Sequence, residues 1–210
     1  MTARLVYVMD PMCSWCWGFA PVLDALARQA EAAGVGLHLV VGGLRSEHSP
    51  MDAAGRERIQ SYWRAVEQAT GQRFDYQAGM PAGFVYDTER ACRALVAARL
   101  LDVAAVLPLA HAIQQAFYLQ GSDTGSAPVL VDLAEGVGLA RDAFAERFDS
   151  LEALEQTRAD FAWAQNLGIA GFPTLLAERD GQLALLTNGY QPLERLSPLL
   201  ARWLEQGAHA

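Results

Sequence analysis

Residues 9–19 read MDPMCSWCWGF, and two of the chain's three cysteines, Cys13 and Cys16, stand three apart within them. Before them runs RLVYVM, Arg4 to Met9, closed by Asp10-Pro11. A short apolar run rich in Val and Tyr, stopped by a turn signal, predicts a buried strand. After them Phe19, Val22, Leu23 and Leu26 recur at helical spacing to about Ala32, and Gly34 follows as a stop. Pro21 predicts a kink or restart inside that helix. Gly36 to Val41, GLHLVV, predicts a second strand ended by Gly42-Gly43. The three elements form a β-α-β unit, whose parallel crossover is right-handed. The cysteine pair therefore opens the first helix, directly after the first strand. So placed, it is a redox dithiol, half of a zinc site, or two buried thiols. A structural zinc site needs two further ligands. The sequence offers only Cys92 and four scattered histidines: His38, His48, His111 and His209.

The bulk properties narrow the function. The chain has 210 residues, 52% hydrophobic and 19% charged. That supports one domain, or one domain carrying a large insertion, and argues against disorder. No apolar run reaches the roughly 18 residues of a membrane helix, so no membrane partner is expected. The net charge is −8, all 16 cations are arginine, and no basic cluster appears, which argues against a nucleic-acid partner. MTARLVYVMD lacks the longer apolar region and cleavage site of a secretory signal, so the expected compartment is the cytoplasm. Three cysteines are too few for a disulfide framework, and in a reducing cytosol a C-x-x-C reads as redox or metal chemistry.

From about Arg45 to Ser150 strand-like runs are scarce and helical patterns dominate, at roughly 52–70, 88–106, 108–119, 127–137 and 141–148. Pro108 and Pro128 suit first-turn positions. Turns are signalled at Gly71, 78–83 and 121–126. The end returns to α/β: a helix over 150–167 with Ser150 as N-cap, then GIAGFPT at 168–174. Strands follow at Thr174–Ala177 and Leu183–Thr187, around Arg179-Asp180-Gly181. A last helix spans about 192–206, with a kink or restart expected at Ser197-Pro198. Cys92, Leu95, Val96 and Val103 form an apolar stripe on one helix; Tyr62, Trp63 and Val66 share a face of another.

The order β-α-β, inserted helices, α-β-β-α resembles the thioredoxin fold in its DsbA-like form. Cys13-Ser14-Trp15-Cys16 at the first helix and GIAGFPT before the hairpin carry the resemblance, which covers nearly the whole chain. DPMCSWCWGFAP together with GGLR (42–45) resembles a group of predicted cytosolic DsbA-family protein-disulfide isomerases. The resemblance implies an α/β thioredoxin-like domain from residues 1–45 and 150–210 and an inserted helical domain over 46–149. It implies that Pro173 is a cis proline facing the C-x-x-C, and that the backbone of Phe172 pairs with an extended substrate. Ser14 and Trp15, between the cysteines, then join the substrate-facing rim.

The chemistry suits these residues. The attacking group in disulfide exchange is a thiolate, and a helix N-terminus offers free N–H groups and partial positive charge. Cys13 is expected to attack, and Cys16, more buried, to resolve the mixed disulfide. The expected partner is a protein or small-molecule thiol or disulfide. No metal or cofactor is expected beyond the redox disulfide itself, with glutathione a candidate co-substrate. Two departures from the family bear on strength. Tyr7 stands six residues before Cys13, where thioredoxins carry a buried acid, and no histidine lies inside the motif, as it does in DsbA oxidants. Asp10 works against a thiolate at Cys13. The pair is therefore expected to be less oxidising than DsbA, whose potential is about −120 mV. Two other readings share this architecture: a glutathione-dependent isomerase or transferase of the kappa or hydroxychromene-carboxylate type, and a non-catalytic peptide-binding module. The first uses serine where Cys13 stands, and retention of both cysteines argues against it.

Overall fold

The computed structural model describes residues 3–80 and 83–208. Pro81 and Ala82 of the turn expected at 78–83, and His209, lie outside the described residues. The N-terminal unit runs β1 (Ala3–Met9), α1 (Ser14–Glu31) and β2 (Gly36–Val41). Near the C-terminus come α7 (Leu151–Asn166), β5 (Thr174–Arg179), β6 (Gln182–Asn188) and α8 (Leu193–Ala208). The four strands form one sheet in the order β2-β1-β5-β6. β2 lies parallel to β1, whereas β5 and β6 run antiparallel to their neighbours. The hairpin turn is only two residues long. Asp180 and Gly181 both take positive φ, 50° and 81°, as the twist of a tight hairpin requires.

Alternation along β1 gives the sheet two apolar faces. Leu5, Tyr7 and Met9 join the large core with Phe19, Leu23 and Leu26 of α1 and Leu196 and Leu200 of α8. Val6 and Val8 turn to the other face, with Val40, Leu176 and Ala164 of α7. This is a thioredoxin fold of the DsbA-like kind, with mixed α/β architecture and added helices.

The added elements are β3 (Ser46–Pro50), α2 (Ala53–Thr70), β4 (Val85–Asp87), α3 (Glu89–Leu101), α4 (Val106–Gln120), α5 (Ala127–Gly136) and α6 (Arg141–Phe148). Three features differ from the sequence expectations. First, β3 and β4 pair as a small antiparallel ladder. Every residue of β3, SEHSP, is exposed, so no apolar alternation announces it. Second, the helix expected over 88–106 stops at Leu101. Asp102 is extended (φ −153°, ψ 111°) and its carboxylate accepts the Ala104 N–H at 2.9 Å, which starts a short 3-10 turn. Val103 is consequently exposed, off the stripe that buries Cys92, Leu95 and Val96. Third, neither Pro21 nor Pro198 breaks its helix. Proline removes the N–H that would bond the carbonyl four residues earlier. For Pro21 that carbonyl belongs to Trp17, and the Gln72 side chain donates to it at 3.0 Å.

Two clusters tie the added helices to the sheet and to α1. The Arg99 guanidinium of α3 grips the Asp160 carboxylate of α7 in two bonds, 2.8 and 3.0 Å, and also donates to the Leu39 carbonyl of β2. Asp160 in turn accepts the Val41 N–H. The second is aromatic. Trp63 packs on Phe74, Phe117 and Tyr118, and Tyr118 stacks on Trp17 of α1. Tyr62, on the same helix, is half exposed and stands outside that cluster. Ser150 caps α7 as expected, its hydroxyl accepting the Ala153 N–H.

Candidate active site

The turn Asp10-Pro11-Met12 ends β1 and delivers Cys13 to the N-cap of α1 (φ −84°, ψ 117°). The Cys13 N–H donates to the Asp10 carbonyl, and the Cys13 carbonyl receives the N–H groups of both Cys16 and Trp17. These bonds fix the first turn of the helix and set Cys16 one turn behind Cys13. Cys13 retains slight exposure, 6%, whereas Cys16 has none. Both are free thiols. Burial pushes the Cys16 thiol well up from its ordinary range, and the neighbouring Cys13 adds to that. The Tyr7 hydroxyl faces Cys16 from β1; burial pushes it well up too. The asymmetry is what an exchange dithiol needs: one residue with a small opening to solvent, the other sealed and held back as a thiol.

Opposite the dithiol, the Phe172-Pro173 peptide is cis. The Cys13 thiol lies 3.5 Å from the Phe172 carbonyl, in donor position. The Gly189 N–H holds the Pro173 carbonyl at 2.7 Å, and Thr174 closes the loop onto the Gly171 carbonyl. Phe172 is half-buried. Ser14 is half-buried at the helix start, and Trp15 lies half-buried against Tyr190 with ring centroids 6.0 Å apart. So Cys13, Ser14, Trp15, Cys16, Phe172 and Pro173 do come together at one end of the sheet.

Other residues around the site are not legible as such in the sequence. Gly42 and Gly43 let the chain leave β2 under the loop. A Cβ on Gly42 would fall 2.0 Å from the Phe172 ring, and Gly43 adopts φ 68° against Phe161. Gly42→Ala should therefore dislodge Phe172. A displaced positioning residue is expected to cost about tenfold in kcat/KM for disulfide exchange. Gly36→Ala at the start of β2, where a Cβ meets nothing within 4 Å, should match wild type. Equal kinetics for all three proteins would show that the Phe172 ring plays no part in exchange.

Asp10, expected to oppose a thiolate at Cys13, has surroundings the sequence does not reveal. It is fully buried. The amide of Met12 donates to one oxygen (2.8 Å); the amide of Leu44 (2.7 Å), the Thr88 hydroxyl (2.6 Å) and the Cys92 thiol (3.4 Å) gather at the other. The Tyr86 hydroxyl donates to the Met12 carbonyl at 2.6 Å, and Arg45 lies over the Tyr86 ring. Arg45 and the GGLR stretch are thus more than a turn out of β2. Cys92 is the buried core thiol its helical stripe suggests, with a polar partner the stripe does not reveal. Burial and the facing Asp10 carboxylate push that thiol well up, which suits an inert role. His38 sits half-buried on the edge strand β2, His48 is exposed, and His111 is half-buried 3.4 Å from Asp24. Among the described residues no group of three His, Cys, Asp or Glu could hold a metal.

A dithiol at a helix N-cap facing a cis-proline loop on a four-stranded mixed sheet defines a thioredoxin-type thiol–disulfide protein. Residues 4–201 match the family model of the DSBA-like thioredoxin domain, and the chain belongs to that family. A search of curated proteins finds no match. Among solved structures, a candidate protein disulfide isomerase from Nitrosomonas europaea is 38% identical, with a TM-score of 0.91 over 98% of this chain and 99% of that one. The cytosolic disulfide reductase DsbM from Pseudomonas aeruginosa is 32% identical, with a TM-score of 0.79 over 95% and 98%. A structure of DsbM with glutathione has a TM-score of 0.77 at 29% identity, over 99% and 100%. By family, the chain is a thiol–disulfide oxidoreductase.

Proposed function

We propose that the protein is a cytoplasmic disulfide reductase or isomerase working through Cys13 and Cys16, with glutathione as a co-substrate. The observation that carries this is the placement of the Cys13 sulfur, at the α1 N-cap and 3.5 Å from the Phe172 carbonyl. The likeness to DsbM, described as cytosolic and solved with glutathione, supports both the compartment and the co-substrate. Among the described residues no helix is long and apolar enough to cross a membrane. We also read residues 1–45 and 150–210 as the thioredoxin-like domain and 46–149 as the inserted one.

In the first step the Cys13 thiolate attacks one sulfur of a substrate disulfide; the new S–S bond forms as the old one breaks, and the other substrate sulfur leaves as a thiolate. Cys16 then loses its proton and attacks the Cys13 sulfur. The Cys13–Cys16 disulfide forms, and the second substrate half leaves as a thiolate that takes up a proton. Two electrons pass to the substrate, and two equivalents of glutathione can return them. During the first step, the backbone of Phe172 pairs with the extended substrate and Ser14 and Trp15 line its edge. The thioredoxin-type position for a buried acid is filled by Tyr7, and no cationic group lies inside the motif, so the couple is expected to favour reduction of substrates.

Equilibration of the purified protein with reduced and oxidised glutathione tests this reading. The expected result is reversible interconversion of dithiol and disulfide, with a potential well below about −120 mV. A protein that stays fully reduced even in pure oxidised glutathione would remove the proposal. A potential near the DsbA value would leave an oxidase and remove the reductase reading.

A further inference from the structure

We propose that the Asp10 carboxylate, clamped from the inserted segment by α3 and its N-cap, is a positioning residue that keeps the Cys13–Cys16 couple reducing. This rests on the dithiol-exchange reading above. The carboxylate touches neither sulfur in the reaction. It holds the N–H of Met12, the residue immediately before Cys13, and its own backbone carbonyl holds the Cys13 N–H. Its other oxygen is gripped from two directions: by Leu44, where the chain leaves β2, and by Thr88 and Cys92, both contributed by the inserted segment. One side chain therefore joins the active-site turn, the strand exit and the insertion.

The donors decide its character. The amides of Met12 and Leu44 can only donate, one to each oxygen. The Thr88 hydroxyl accepts from the Arg45 N–H at 3.3 Å; its own hydrogen has two acceptors in reach, the Arg45 carbonyl at 3.3 Å and Asp10 at 2.6 Å, and the much shorter contact assigns it to Asp10. Four donors and no obligatory acceptor suit an ionised carboxylate. Burial works the other way and pushes the group above the usual carboxylate range, and the bonds from Thr88, Leu44, Met12 and Cys92 oppose that shift. The titratable groups facing it are Cys92 of α3, Tyr86 of β4 and Tyr118 of α4, with the dithiol beyond the turn.

A buried negative charge beneath the turn disfavours a thiolate at Cys13. Reduced proteins whose thiolate is stabilised are strong oxidants. Here the opposite holds: the charge withdraws that stabilisation, and the disulfide form gains relative to it. The insertion, by supplying Thr88 and Cys92, thus contributes to the redox set point of a dithiol on another part of the chain.

Asp10→Asn removes the charge at nearly constant shape. Measured against glutathione buffers at neutral pH, the equilibrium constant for oxidation of glutathione by the protein disulfide should rise by at least about tenfold, or about 30 mV for a two-electron couple. Alkylation of Cys13 at neutral pH should quicken. Because the amide nitrogen introduced by Asp10→Asn would face a fixed donor, a second variant guards against misfolding. Thr88→Val deletes the shortest bond to the carboxylate and should move both readouts in the same direction by less. Folded variants with wild-type equilibrium constants and wild-type alkylation profiles would overturn the inference. If Asp10→Asn does not fold, Thr88→Val decides alone. Wild-type protein that exchanges nothing with glutathione fails at an earlier point, the dithiol reading itself, and takes this inference with it.

Discussion

Replacing Cys13 with alanine is expected to abolish disulfide exchange, while replacing Cys16 stops it halfway. The two sulfurs differ only in where the first turn of α1 puts them. Cys13, at the N-cap, keeps an opening to solvent and faces the Phe172 carbonyl; Cys16 is sealed beneath it. Loss of the nucleophile should reduce insulin or glutathione-disulfide turnover by at least about a thousandfold. Cys16→Ala keeps the attack and loses the resolution, so Cys13 should accumulate as a mixed disulfide with one glutathione, visible as a mass gain on the intact protein. Burial and the neighbouring Cys13 sulfur both push the Cys16 thiol up. Once Cys13 is bound in a mixed disulfide, the second of those influences is removed and Cys16 can lose its proton more easily. Resolution in the wild type should therefore quicken as pH rises from neutral, because more Cys16 is ionised. A mixed disulfide that accumulates on Cys13→Ala instead would reverse the assigned roles.

Local pattern and long-range packing contribute differently to this site. β1, α1 and β2 are legible because each has a clean apolar period and a turn residue at its end. Cys13 and Cys16 are legible because they fall where strand becomes helix. The cis peptide at Pro173 is implied by family resemblance rather than by any local pattern. What escapes the sequence is long-range. β3 carries no apolar residue except Pro50, so its pairing with β4 follows from tertiary placement alone. Pro21 reads as a breaker because the sequence cannot say that Gln72 will satisfy the stranded Trp17 carbonyl. Asp10 reads as a turn residue next to proline and as a charge near Cys13, but not as a buried group. Its burial depends on Leu44, Thr88 and Cys92, which lie 34, 78 and 82 positions away. A carboxylate so enclosed is visible only once the insertion has been folded against the turn.

The inserted helices are expected to be as important to stability as to the site, and Trp63→Ala should expose this. Trp63 is completely buried. Its ring stacks on Phe74 at 5.2 Å and meets Tyr118 edge-on at 5.3 Å, with Phe117 at 6.0 Å. A Cβ on Gly79 would fall 2.6 Å from the same ring, so the pocket has no slack on that side. Truncation of a large aromatic in a close-packed core leaves a cavity and typically costs about 3–5 kcal/mol. Against a total stability of about 5–15 kcal/mol, that is a large fraction. Urea titration should show a midpoint well below that of wild type, and Trp63→Phe, which restores most of the ring, should recover part of the loss. The effect should also reach the dithiol. Tyr118 stacks on Trp17 at 6.0 Å, and the Trp17 indole donates to the Arg73 carbonyl at 3.0 Å. Trp17 follows Cys16 directly on α1. Loosening the cluster around Trp63 should therefore make Cys16 react faster with an alkylating agent in the native state, under conditions where the global fold is intact. A loss below about 1 kcal/mol, with Cys16 as protected as in wild type, would mean that the helices and the active-site turn do not share one core.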